Sequence, residues 1–151
     1  MISASQRFLL VLIALMFQGA ATANTATQTP LELPGASVVS AEQVKRLVDA
    51  GALLVDTRVG NEFAEAHIRG SVNVPYKEVS RKAVDFDASQ DRFDLSKLPS
   101  DKSKPVILYC NSGDCWRSYK ASIVTVRAGY RQVYWFRGGF PEWKKKGLPI
   151  D

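Results

Sequence analysis

The residues Cys110-Asn111-Ser112-Gly113-Asp114-Cys115-Trp116-Arg117 follow an apolar run, Val106-Ile107-Leu108-Tyr109, and precede residues 118–128, whose pattern predicts a helix. The apolar run predicts a buried strand. A thiol between a strand end and a helix start meets converging backbone N–H groups and the favourable end of the helix dipole. Those conditions stabilise a thiolate, which makes Cys110 the candidate nucleophile. Gly113 permits the turn, and Cys115 places a second thiol in the same loop.

Downstream of that loop, Gly129 stops the helix, and residues 132–136 form a strand rich in β-branched and aromatic side chains. Gly138-Gly139 marks a tight turn before a short helix over 140–146 that contains Trp143. Upstream, residues 85–104 carry charges of both signs and Pro99, which reads as a loop insertion with a short turn around 95–98. Residues 76–84 have a pattern compatible with a helix, and 72–74 predict a strand closed by Pro75. A helical turn over 61–66 is predicted, capped by Asn61. Residues 52–55 predict a continuous apolar strand that ends at Asp56-Thr57-Arg58. Ser40 with Gln43 makes a capping box for a helix bearing Val44, Leu47 and Val48 on one face, and Gly51 ends it. Residues 36–39 predict one more strand. Strands alternating with helices in this way mean an α/β fold with a largely parallel sheet. Ligands in such sheets bind beyond the carboxyl ends of the strands, the position of the Cys110 loop.

The N-terminal end reads differently. Arg7, the apolar run 8–17 and Ala21-Thr22-Ala23 together predict a secretory signal peptide over residues 1–23, cleaved after Ala23. Residues 24–36, rich in Thr, Ala and Pro, predict a flexible lead-in, and 37–151 a single domain. The expected location is the periplasm or the exterior, with no membrane association after cleavage. Loss of Arg7 lowers the formal net charge from +5 to +4. Positive residues are dispersed apart from Lys144, Lys145 and Lys146, and no basic run alternates with aromatics, which argues against nucleic acid as a partner. In an oxidising compartment two cysteines first suggest a structural disulfide. A bridge across four intervening residues constrains the unfolded chain little, so the pair reads as chemistry or redox control rather than reinforcement.

Four segments resemble the rhodanese (sulfurtransferase) family, over roughly residues 37–150. They are Leu54-Val55-Asp56-Thr57-Arg58; the run from Glu62-Phe63 through His67-Ile68-Arg69-Gly70-Ser71 to Asn73-Val74-Pro75; Tyr109-Cys110 with its glycine-containing loop and Arg117-Ser118; and Arg137-Gly138-Gly139 with Trp143 and Gly147-Leu148-Pro149. The resemblance implies a five-stranded, mainly parallel sheet flanked by helices. It also implies a cysteine that takes a sulfane sulfur from a donor, becomes a persulfide and passes the sulfur to a thiophilic acceptor. Cys110 matches that cysteine by position, and Arg117 matches the arginine near the loop's end. The common loop of the family is Cys-x-x-Gly-x-Arg-Ser, whereas here Cys115 and Trp116 stand between Asp114 and Arg117. This longer loop is similar to that of a subgroup of exported rhodanese-like proteins, some associated with quinoprotein oxidation pathways.

On this reading, Asn111, Ser112, Gly113, Asp114, Trp116 and Arg117 form the substrate-binding loop around catalytic Cys110, with Trp116 walling its mouth. Asp114 opposes an anionic donor such as thiosulfate. Cys115 stays open between a resolving or regulatory thiol, a permanent disulfide and inert packing. Asp56 and Arg58 read as an ion pair supporting the loop, and His67 as a structural residue of its segment. No cysteine or histidine cluster has metal-ligand spacing, so neither a metal nor another cofactor is implied. The expected partners are a small sulfur-containing anion or thiol acceptor, and a periplasmic redox protein. Two further functions compete with sulfur transfer: a thiol–disulfide redox protein using Cys110 and Cys115, and a non-catalytic accessory or binding module.

Overall fold

Alternation along the central strand, β4 (Val106–Tyr109), divides the core in two. The computed structural model describes residues 28–151; the signal-peptide reading and residues 24–27 of the lead-in lie outside them. All four residues of β4 are fully buried, because helices cover both faces of the sheet, and this explains an apolar run without alternation. Val106 and Leu108 pack with Ala121, Tyr130 and Val133 on one face. Ile107 and Tyr109 pack with Val44, Phe136 and Trp143 on the other.

The remaining strands are β1 (Ser37–Val38), β2 (Leu53–Asp56), β3 (Val72–Asn73) and β5 (Val133–Phe136). The sheet order is β1-β5-β4-β2-β3, and every neighbouring pair is parallel. Tyr109, Asp56 and Phe136 stand side by side in register at the ends of β4, β2 and β5. The loops that leave these three strands therefore meet at one edge, as expected for an α/β site.

Helices α1 (Ala41–Asp49) and α4 (Gly139–Lys145) contribute to the core on the Tyr109 face, and α3 (Trp116–Arg127) covers the other. The Ser40–Gln43 capping box at the start of α1 is present in both directions. Helix α2 (Gly60–Glu65) begins one residue earlier than expected and after Val59, with no side-chain cap, so Asn61 is not its cap. Its side chains are not buried in the core, and its job is to present Glu62.

Two further expectations need correction. Residues 76–84 are not helical; they form an irregular arm held by buried polar groups. Asp91 accepts hydrogen bonds from the Val79 and Ser80 amides and from the Ser80 and Tyr76 hydroxyls. Lys120, fully buried on α3, donates to the Ser80 carbonyl and hydroxyl and pairs with Glu78 at 2.9 Å. The 85–104 segment is a loop that carries the expected turn, Leu95–Lys97, and a further 3-10 turn, Ala88–Gln90, and it packs back onto the domain through Phe86 and Leu98. The second correction is that the described part of the lead-in is docked. Thr29 and Leu33 are buried, and Leu33 joins Trp116, Tyr119 and Trp135 in a third apolar cluster. Among the described residues, no helix is long and apolar enough to cross a membrane.

Candidate functional site

β4 ends at Tyr109 and α3 begins at Trp116, two residues earlier than its sequence pattern suggested, with Cys115 as N-cap. The loop between them is therefore short and tight. The Cys115 amide donates to the Ser112 carbonyl at 2.9 Å, and the Ser112 hydroxyl donates to the Asp114 carboxylate. Cys110 and Cys115 are joined by a disulfide, and Cys110 is only 1% exposed. Of the alternatives open for Cys115, the structure holds the bonded pair. The free, accessible thiol expected at Cys110 is instead a buried half of this disulfide. Cys115 is both the N-cap of a 12-residue helix and a disulfide partner, so one sulfur sits near the positive end of the α3 dipole.

Three elements fix the loop from outside. The carbonyl of Cys110 accepts a 2.9 Å hydrogen bond from the Phe140 amide at the start of α4. Gly139 makes this approach possible, because a Cβ there would lie 2.3 Å from the Cys110 carbonyl oxygen, and its φ is +62°. Gly139 of the Gly-Gly pair after β5 is thus required by the loop of β4. On the far side, residues 28–30 and Arg137 close over Gly113. Arg137 donates to the carbonyls of Pro30 and Thr29, both at 3.0 Å. Sequence reasoning placed Arg137 in a motif but gave it no role, and it gave none to Thr29. The third support is Glu62 on α2. Its carboxylate accepts from the Asn111 side chain at 2.8 Å and pairs with Arg117 at 3.4 Å. Burial pushes the Glu62 carboxyl up, but the Asn111 hydrogen bond and the Arg117 charge prevail and hold it below its ordinary value.

A cavity of about 430 Å³ opens beside the loop. It brings together six predicted residues: Asn111, Ser112, Asp114, Cys115, Trp116 and Arg117. Glu78 and Lys82 complete the lining from the irregular arm, and nothing in their local sequence marked them. Trp116 is 1% exposed and packs edge-on to Tyr119, so its place is the floor of the cavity and not the rim. Gly113 faces Arg137 instead, and Cys110, 1% exposed against 9% for Cys115, is outside the lining.

Asp56, Arg58 and His67 do not reach this cavity. Arg58 and Asp56 form the expected ion pair, with contacts of 2.7–3.1 Å and both side chains buried. Tyr109 donates to Asp56, and Arg58 stacks over Phe140 with its guanidinium carbon 4.3 Å from the ring centre. Burial pushes the Tyr109 hydroxyl well above its usual range, with the Asp56 carboxylate adding to it. This pair therefore anchors the strand ends and α4 beneath the loop. His67 stacks on Phe63 at 3.7 Å, and its Nδ1 lies 2.8 Å from the Phe63 carbonyl, contacts that fit a structural role. Among the described residues, no cluster of His, Cys, Asp or Glu could hold a metal ion.

A parallel α/β sheet carrying a cysteine loop at the carboxyl end of its central strand defines the class of protein. The chain belongs to the rhodanese-like domain family, which it matches over residues 40–146. It is 34% identical over 113 residues to thiosulfate sulfurtransferase 16, chloroplastic, of Arabidopsis thaliana, covering 75% of this chain and 91% of that protein. It is 32% identical over 120 residues to the tRNA uridine(34) hydroxylase of Hamiltonella defensa. That match takes in 74% of this chain but spans only 30% of the hydroxylase. Among solved structures, the BH2092 protein from Bacillus halodurans superimposes with a TM-score of 0.59 at 19% identity, covering 77% of each chain. At that identity the likeness speaks for the fold.

Proposed function

We propose that this chain is a periplasmic sulfurtransferase that moves a sulfane sulfur, from a donor such as thiosulfate, to a thiophilic acceptor through a persulfide on Cys110. The observation that carries this reading is the position of Cys110. It directly follows the central strand, in a loop held by Phe140, Glu62 and Arg137, within a family whose relatives include a thiosulfate sulfurtransferase. The disulfide is then the resting oxidised state, and reduction precedes transfer. Once freed, the Cys110 thiolate attacks the outer sulfur of the donor. The S–S bond of thiosulfate breaks with its electron pair leaving on sulfite, and the acceptor later removes the sulfur from the persulfide. Loop amides and the dipole of α3 favour the anionic sulfur. Export rests on the composition of residues 1–23.

The test is to reduce the full chain, add thiosulfate, and measure the mass of the Cys110 peptide. One added sulfur on Cys110, absent from Cys110→Ser, is the expected result. No adduct with several sulfane donors would leave the accessory-module reading in front. The Cys110–Cys115 disulfide specifically favours a second reading, a thiol–disulfide redox protein that passes electrons to a periplasmic partner. Cys115→Ser separates the two, since sulfur loading survives this change and disulfide cycling does not.

A further inference from the structure

The two sulfurs of the disulfide are not equally placed. Cys115 lines the 430 Å³ cavity, whereas Cys110 does not line it and is 1% exposed. Any reagent entering that cavity meets Cys115 first. Beyond it, Cys110 follows a buried strand, with its carbonyl fixed by the Phe140 amide. Lys82 and Arg117 stand in the cavity wall, one on the exposed arm and the other in the first turn of α3. The Lys82 charge favours an approaching anion, with Arg117 adding less because Glu62 pairs with it at 3.4 Å; Asp114 and Glu78 oppose it, and Glu78 is offset by the buried Lys120 at 2.9 Å.

We propose that the disulfide is opened in one direction only, by a low-molecular-weight thiolate that enters this cavity and attacks the sulfur of Cys115. The thiolate forms a new S–S bond to Cys115 as the Cys110–Cys115 bond breaks, and the electron pair departs with Cys110 as a thiolate. A second thiolate attacks the reagent's own sulfur in the mixed disulfide. This releases a small-molecule disulfide and leaves Cys115 as a thiolate. Two thiols are oxidised and one protein disulfide is reduced, so the electrons balance. Cys115 is thus the sulfur that exchanges with the surroundings, and Cys110 the one set free for chemistry. Release of Cys110 supplies the nucleophile of the function proposed above, yet the opening step itself requires no transfer activity.

Sulfite serves as the probe, because it opens a disulfide by the same attack and marks the attacked sulfur as an S-sulfonate. Oxidised, folded full-length chain is treated with sulfite under continuous alkylation of released thiol, then digested and mapped by mass spectrometry. The expected result is S-sulfonate on Cys115 and alkyl on Cys110, in at least about tenfold excess over the reverse. S-sulfonate on Cys110, comparable labelling of both, or no opening without denaturant each overturns the proposal. Lys82→Glu, a change at an exposed position, provides the second arm. It should slow opening by about fivefold at low salt, an effect that fades as salt screens it. An unchanged rate at low salt would overturn access through this cavity. Neither readout depends on persulfide formation, so a chain inactive with thiosulfate still decides the matter.

Discussion

The carbonyl oxygen of Gly113 accepts two hydrogen bonds from Thr29, one from its amide at 2.8 Å and one from its hydroxyl at 2.6 Å. The two residues are 84 positions apart, and the contact ties the segment before the first strand to the tip of the cysteine loop. Arg137 completes the clamp, since a Cβ on Gly113 would lie 2.6 Å from its guanidinium. Removing the hydroxyl in Thr29→Ala is expected to cost about 1 kcal/mol in urea unfolding, the usual worth of one buried hydrogen bond. Gly113→Ala pushes against a guanidinium held by two backbone carbonyls and should cost about 1–3 kcal/mol. Because both changes act on one clamp, their costs in the double variant should fall short of the sum. Full additivity would mean that the segment and the loop are independent.

Gly139 offers a sharper test of the same loop. Its positive φ and its 2.3 Å approach to the Cys110 carbonyl leave no room for a methyl group on either account. The obstructing atom is backbone, so no side chain can move aside. Gly139→Ala is expected to lose about 2–5 kcal/mol, combining backbone strain with overpacking. Gly147→Ala is the control: its φ is also positive, but nothing lies within 4 Å of the added Cβ. Chemical denaturation of both variants should therefore separate strain alone from strain with a clash. Equal losses would remove the argument that Gly139 is there for Cys110.

Much of this architecture was legible in the chain because the strands declare themselves. The run from Val106 to Tyr109 is wholly buried, and the Ser40–Gln43 capping box is local chemistry visible at three-residue spacing. Contacts across long separations were not legible. Thr29 looked like part of a flexible lead-in because nothing near it in sequence announces a partner at Gly113. The arm over 76–84 looked helical because its order comes from Asp91 and Lys120, buried groups contributed from elsewhere. Within the site, residue types and loop position identified the cysteines, but their relative exposure depends on packing. Glu62 was visible as a motif residue; its reach to Asn111 and Arg117 required the fold.

Acid should unpin the irregular arm. Burial pushes the Asp91 carboxyl up, but donors from Ser80, Val79 and Tyr76 prevail and bring it down to about 2, from an ordinary 3.8. A carboxyl with a lower value in the folded state takes up its proton first when unfolded. The stabilisation is therefore complete above pH 3.8 and is lost as pH falls towards 2. Asp91→Asn lacks this titration. The stability gap between wild type and variant should be widest at pH 5 to 6 and should narrow through the window from about pH 4 to 2. A gap constant across that range would show that Asp91 gains nothing from its four donors.

Glu62 gives the prediction most specific to the site, because its two partners respond differently to the loss of its charge. Oε1 accepts from Asn111, and Oε2 faces Arg117. Glu62→Gln keeps an acceptor for Asn111 while removing the negative charge that offsets Arg117 at the edge of the cavity. The local potential becomes more positive, and a doubly charged donor such as thiosulfate gains roughly 1 kcal/mol at low salt for a separation near 8 Å. Reduced Glu62→Gln should therefore load sulfur onto Cys110 about two- to fivefold faster at subsaturating thiosulfate, with the gain shrinking as salt is added. Glu62→Ala removes the acceptor as well. Asn111 then loses its anchor, and the electrostatic gain is offset by a looser loop, so the alanine variant should load more slowly than the glutamine one. Equal rates for the two variants would show that Glu62 does not orient Asn111. A slower glutamine variant would mean that Arg117 must be held by Glu62 to work.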